Sequence, residues 1–301
     1  MGEATSELEL GSAYSIQGDI IKSAAHLRRA LELHRQAGNR DQQLRAVSAL
    51  GTIAEELGQF ESALSHFEEA VLLLDDRYDY AAGGLYNNVG YMQIKMGRVP
   101  EALTTLEHAV TVCRAVDDRH LEIFAASNIG DAYRRLGRYD EALTHLDRAL
   151  ALAVEVGIQP STAYARNRLG NAYRDLGRID DARAELEEAL RISRTAISPI
   201  SEPEALIDLA ATVFAAGELV TANDLARAGL DIAAEQGRRY QEARACDLLD
   251  HICRRSGRPD AAAQYRRRAD DLLTELGHPG TDVLGATLAD GSAPRGGSEP
   301  G

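Results

Sequence analysis

The stretch IGDAYRRLGRYDEALTHLDRAL, residues 129–150, decides the fold, because LGNAYRDLGRIDDARAELEEAL at residues 169–190 repeats its plan. In both, a large apolar residue precedes a glycine (Ile129-Gly130, Leu169-Gly170), then come a tyrosine, a second glycine and a closing Ala-Leu pair. Working outward, Leu10-Gly11, Leu50-Gly51, Val89-Gly90 and Leu209-Ala210 keep the step, while Leu249-Asp250 keeps the leucine and loses the small residue. The second glycine recurs as Gly18, Gly58, Gly97, Gly137, Gly177, Gly217 and Gly257, at steps of 40, 39, 40, 40, 40 and 40. A period of this size marks a repeat array in which each unit buries its apolar face only by stacking on its neighbours.

Each unit reads as two helices. Ala125, Ile129, Ala132, Tyr133 and Leu136 recur at spacings of three and four, one stripe of a helix. Gly137 ends it by taking the left-handed conformation without a Cβ penalty. Asp140 and Glu141 open a second helix, where acidic side chains favour the positive end of the helix dipole. Its stripe is Ala142, Leu143, Leu146, Ala149, Leu150 and Ala153, and the small residues at 130, 142 and 149 allow close approach. Pro100 and Pro259 fall in a first helical turn, where the missing N–H costs little. Units are expected over approximately 4–40, 44–79, 83–119, 123–158, 163–198, 203–238 and 243–277. Residues 278–301, rich in Gly, Pro, Ala and Ser, have little to bury and read as a disordered tail.

The pattern Leu-Gly-x-x-Tyr, Leu-Gly-Arg-Tyr-Asp-Glu-Ala-Leu, Ala-Leu resembles the tetratricopeptide repeat, in the longer, forty-residue form of kinesin light chains, Leu-Gly-Asn adaptors and bacterial regulators. The match spans roughly residues 4–277; units six and seven are worn, with Val213 and Cys253 where Tyr133 and Tyr173 stand. The resemblance implies an all-α, right-handed superhelical solenoid of seven hairpins whose first helices line a concave groove. Abundant Ala, Arg, Gly and Leu also makes the array similar to the C-terminal sensor arm of actinobacterial STAND regulators of the SARP family. That implies a regulatory arm of a larger transcriptional regulator.

Composition narrows the partners. A net charge of −14 argues against nucleic acid and anionic membranes. No apolar run reaches the ~18 residues of a membrane span, and residues 1–9 hold three Glu without a secretory pattern. Three scattered cysteines point to a reducing, cytoplasmic setting rather than a disulfide framework.

The candidate site is a polar strip on the first helices. Asn128, Asp131 and Arg135 lie at i, i+3 and i+7, away from the apolar stripe; Asn167, Asn171 and Arg174 repeat this in the fifth unit, and Asn87, Asn88 and Tyr91 mark the third. An Asn amide can donate to a peptide carbonyl and accept from its N–H together, and Arg offers a planar fork to carboxylates. With Lys95, Arg134 and Arg168 the strip carries a positive excess of three over Asp131 and Asp175. The expected partner is a protein or peptide, with an acidic segment or C-terminal carboxylate preferred. A receptor for a small molecule or short signalling peptide that alters superhelix pitch is one alternative. Self-association through an uncapped first unit, with Leu8, Leu10 and Ile16 partly uncovered, is another.

No enzyme, cofactor or metal site is expected. The eight histidines form no His-Glu-x-x-His and no pairing with Cys, so most belong at surfaces or boundaries. Cys246 and Cys253, seven apart, read as small apolar packing groups. Pairs such as Asp75-Asp76 and Asp117-Asp118 read as capping or solubilising features, and Arg266-Arg267-Arg268, balanced by Asp270 and Asp271, as the solvated face of a terminal helix.

Overall fold

The computed structural model describes residues 2–17, 19–74, 80–195 and 201–277, except the side chains of Ile16 and Tyr80. Gly18, the Asp75-Asp76 pair and the expected tail from 278 lie outside them. The described residues form fourteen helices. These are α1 (Gly2–Ile16), α2 (Ile20–Gln36), α3 (Arg40–Glu56), α4 (Phe60–Leu73), α5 (Tyr80–Lys95), α6 (Val99–Ala115) and α7 (Arg119–Arg135). They continue with α8 (Tyr139–Val156), α9 (Gln159–Asp175), α10 (Ile179–Thr195), α11 (Glu202–Ala215), α12 (Leu219–Glu235), α13 (Arg239–Arg255) and α14 (Pro259–Glu275). The chain divides into two compact units, Met1–Ser161 and Thr162–Gly301. In each, consecutive helices pack as hairpins, and first helices also meet directly, α5 on α7 and α11 on α13. None of the described helices is long and apolar enough to cross a membrane.

Most first helices start three or four residues ahead of the expected unit boundaries, and at α3 and α7 a polar residue just upstream caps the earlier start. The Asn39 carboxamide oxygen accepts from the Gln42 backbone N–H at 3.3 Å, and the Asp118 carboxylate from that of Leu121 at 2.9 Å. Most C-terminal stops among the described helices share one device. Gly137 sits at φ 71° and closes a Schellman pair, with the Arg138 N–H on the Tyr133 carbonyl at 3.0 Å and the Gly137 N–H on that of Arg134 at 2.9 Å. A second glycine series, unread in the sequence, ends the second helices at 38, 157, 237 and 277, with Asp117 (φ 55°) standing in after α6.

A Cβ added at Gly137 meets nothing within 4 Å, so its cost is torsional alone. Gly137→Val lowers stability by about 1–2 kcal/mol in urea unfolding, from the strain of a left-handed non-glycine residue. A midpoint equal to the parent's contradicts this.

Within hairpins the decisive contact joins each small residue to the side chain sixteen positions on. A Cβ at Gly130 would lie 2.5 Å from Leu146 Cγ and 3.2 Å from the Ala142 carbonyl oxygen. Gly11 meets Leu27, Gly51 meets Phe67, Gly90 meets Leu106 and Gly170 meets Leu186 in the same way. The sixth hairpin replaces this pair by Ala210 and Ala226, both buried, and the seventh by Asp250 and Arg266. At the first hairpin Leu8 is covered and Leu10 exposed. All three cysteines are free and buried, and burial pushes the thiols of Cys113 to about 11 and Cys246 to about 12, so both stay protonated.

Candidate functional site

The residues of the expected strip divide between the two units. In the first, α5 and α7 are joined by a hydrogen bond from Asn128 Nδ2 to Asn87 Oδ1 at 2.9 Å, and Asn87 Nδ2 donates to Asn88 Oδ1 at 3.3 Å. Asn87 and Asn128 are buried and Asn88 is half-buried. One turn on, Asp131 is buried between two guanidinium groups. Its Oδ1 accepts from Arg134 Nε at 2.8 Å and its Oδ2 from Arg135 Nε at 3.0 Å. Arg134 lies largely covered, whereas the Arg135 side chain keeps 34% exposure. On α5, the Lys95 ammonium stands 4.9 Å over the half-buried Tyr91 ring.

In the second unit the network is larger. Asp208, on α11, is 1% exposed; its Oδ2 accepts from Asn167 Nδ2 and Asn171 Nδ2, both at 3.0 Å, and its Oδ1 from Arg244 Nη2 at 2.6 Å. Arg174 Nη1 donates to Asn171 Oδ1 at 2.6 Å and also contacts Asp175. Arg168 is buried against the Tyr164 ring and donates to Glu204 Oε1 at 3.2 Å, with Arg244 Nη1 3.9 Å from the same oxygen. Burial alone would raise the Asp208 carboxyl, but Arg244, Arg174 and the Asn171 amide outweigh it and hold the carboxyl below the usual range. Burial likewise opposes charge on Arg244, yet Asp208, Tyr240 and Glu204 keep it firmly protonated.

Two features differ from the sequence expectation. The strip does not stand clear of the packed layer: Asn128, Asp131, Asn167, Arg168 and Asn171 are buried. First helices pack on one another, so a polar residue one position before the Leu-Gly step meets the preceding first helix. Asn87 with Asn128 and Asn167 with Asp208 are the same contact, each 41 residues apart. The positive excess also vanishes in the second unit, where Arg168, Arg174 and Arg244 face Asp175, Glu204 and Asp208. Glu204, Asp208 and Arg244 were missed because α11 and α13 carry worn repeats. The signal was there, since Asp208 falls eighty residues after Asn128 in the same register.

Of the terminal arginines, Arg267 and Arg268 are exposed as expected, whereas Arg266 is half-buried. Arg266 reaches Asp250 Oδ2 through Nε at 2.8 Å and Nη2 at 2.7 Å, and Asp247 Oδ1 through Nη1 at 2.8 Å; Arg268 is held by buried Glu242. Asp247 and Asp250 are fully buried, so these pairs form part of the packing between α13 and α14.

Models described as tetratricopeptide repeat match residues 2–74, 82–153 and 122–195, and residues 245–279. No curated protein sequence matches the chain. Among solved structures it is similar to a Rap protein complexed with competence and sporulation factor (17% identity, 91% of this chain and 76% of that one, TM-score 0.72). It is similar also to NprR in complex with its cognate peptide NprX (16%, 91% and 79%, 0.71). A third is the Rap conjugation gene regulator of the plasmid pLS20 in complex with the Phr* peptide (12%, 94% and 98%, 0.65). At these identities the likeness is one of fold.

Proposed function

Because the chain belongs to the tetratricopeptide repeat family, we propose that it is a non-enzymatic module that captures a protein or peptide segment on its first helices, with α5 and α7 of the first unit as the contact face. The observation that carries this is the sharing of one carboxylate, Asp131, by two guanidinium groups. The same face carries Lys95, Tyr91 and Asn88 beside the exposed Arg135. Arg135 spends its Nε on Asp131 and remains a third exposed, with planar N–H groups suited to a carboxylate. An acidic side chain or terminal carboxylate is the fitting partner group. The peptides held by NprR and by the plasmid regulator support a peptide ligand and a regulatory role, here as the sensing arm of a larger regulator.

A fluorescein-labelled tetraglutamate peptide tests this face. Arg135→Gln, which leaves the buried Asn pair alone, weakens its binding about five- to tenfold, the loss of one charge-assisted hydrogen bond of about 1–1.5 kcal/mol. Helical circular dichroism stays at the parent value. Unchanged affinity, or equal binding of tetralysine by the parent, defeats the proposal.

A further inference from the structure

In the second unit, both carboxylates at the centre of the first-helix face come from α11, and the donors around them come from α9 and α13. Glu204 and Asp208 stand one helical turn apart. Around Asp208 converge two amide N–H groups at 3.0 Å, from Asn167 and Asn171, and one guanidinium at 2.6 Å, from Arg244. Arg174 braces Asn171 from behind at 2.6 Å. Around Glu204 stand Arg168 at 3.2 Å and the other arm of Arg244 at 3.9 Å. This is the coordination that a bound carboxylate receives from fixed donors, two N–H on one oxygen and a cation on the other.

We infer that this face is a carboxylate-binding site filled by the chain itself: α11 supplies Asp208, with Glu204 beside it, as an internal ligand that excludes acidic partners from α9 and α13. The class of external ligand the donors would take is a carboxylate, singly or as two acidic side chains one helical turn apart. An internal carboxylate is present at high effective concentration and carries no association cost, so an external one loses while Asp208 stays in place. The two units therefore differ in kind. On α7 the Arg135 side chain stays a third exposed, whereas Asp208, between α9 and α13, is wholly covered. This inference stands apart from the α5–α7 reading, since its test does not involve that face.

The test is chemical rescue of Asp208→Ala. Removing the carboxylate leaves Arg244 and two amides facing a small hole, and the thermal midpoint drops by about 6–12 °C. Sodium acetate, titrated against equal sodium chloride, recovers at least half of that drop with saturation, while acetamide, of the same shape without charge, recovers none. The parent shows no acetate-specific shift. If Asp208→Ala is unfolded in chloride, recovery of helicity on adding acetate, and not acetamide, is the equivalent result. Should it stay unfolded throughout, the milder Glu204→Ala decides, with an acetate-specific rise expected. Acetate acting no better than acetamide, or shifting parent and variant equally, overturns the inference.

Discussion

Arg266→Leu destabilises the chain by about 3 kcal/mol in urea unfolding, the low end of the loss expected when one partner leaves a buried ion pair. The cause lies in the pair it forms with the fully buried Asp250, with Asp247 beside it. Without the guanidinium, Asp250 retains Arg254 at 2.6 Å, which keeps the loss from being larger, but Asp247 loses a close cation. The same registers in the fourth hairpin hold Ser127, Gly130 and Leu146, all wholly apolar or locally satisfied, with Ser127 Oγ donating to the Ile123 carbonyl at 2.8 Å. The triple variant Asp247→Ser, Asp250→Gly, Arg266→Leu installs that solution and unfolds within about 1 kcal/mol of the parent, because apolar packing commonly replaces a buried ion pair without loss. A single variant as stable as the parent, or a triple variant no better than the single, shows that the pair does not act this way.

The repeat, and with it the helix count and the all-α class, was legible because the glycines and small residues answer two local demands. One is a left-handed stop, as at Gly137; the other is close approach of two helices, as at Gly130. Both depend on residues within one hairpin. The polar face was legible only in part. The position of Asn128 on its helix was readable, but its partner Asn87 lies 41 residues back on another first helix, so whether the amide faces a ligand or a neighbour is a tertiary question. The same limit hid Arg244 behind Asp208. Loss of the small residue at Asp250 was visible in the chain, and its meaning required Arg266, sixteen residues on, to be seen as its answer. Once the sixteen-residue pairing is known, each hairpin's choice can be read off directly: Gly with Leu or Phe, Ala with Ala, Asp with Arg.

That pairing makes a second prediction in which the sign of one substitution depends on its background. Gly130→Ala gains about 0.8–1 kcal/mol of helix propensity but drives a Cβ to 2.5 Å from Leu146 Cγ, an overpacking that costs about 1–3 kcal/mol. The net effect in the parent is destabilising, by up to about 2 kcal/mol. Leu146→Ala alone removes a fully buried side chain and costs about 2–5 kcal/mol. In that background the clash with the leucine is gone and only the Ala142 carbonyl oxygen at 3.2 Å presses on the Cβ at 130, so the propensity gain prevails and Gly130→Ala becomes stabilising by up to about 1 kcal/mol, for a coupling of about 1–3 kcal/mol between the two sites. The sixth hairpin already holds this arrangement, with Ala210 and Ala226 both buried, so the two backbones tolerate it. Four urea titrations of parent, singles and double close the cycle. If Gly130→Ala carries the same sign in both backgrounds, the close approach at Gly130 is set by the helix backbones, with the Ala142 carbonyl at 3.2 Å as the obstacle, rather than by the leucine.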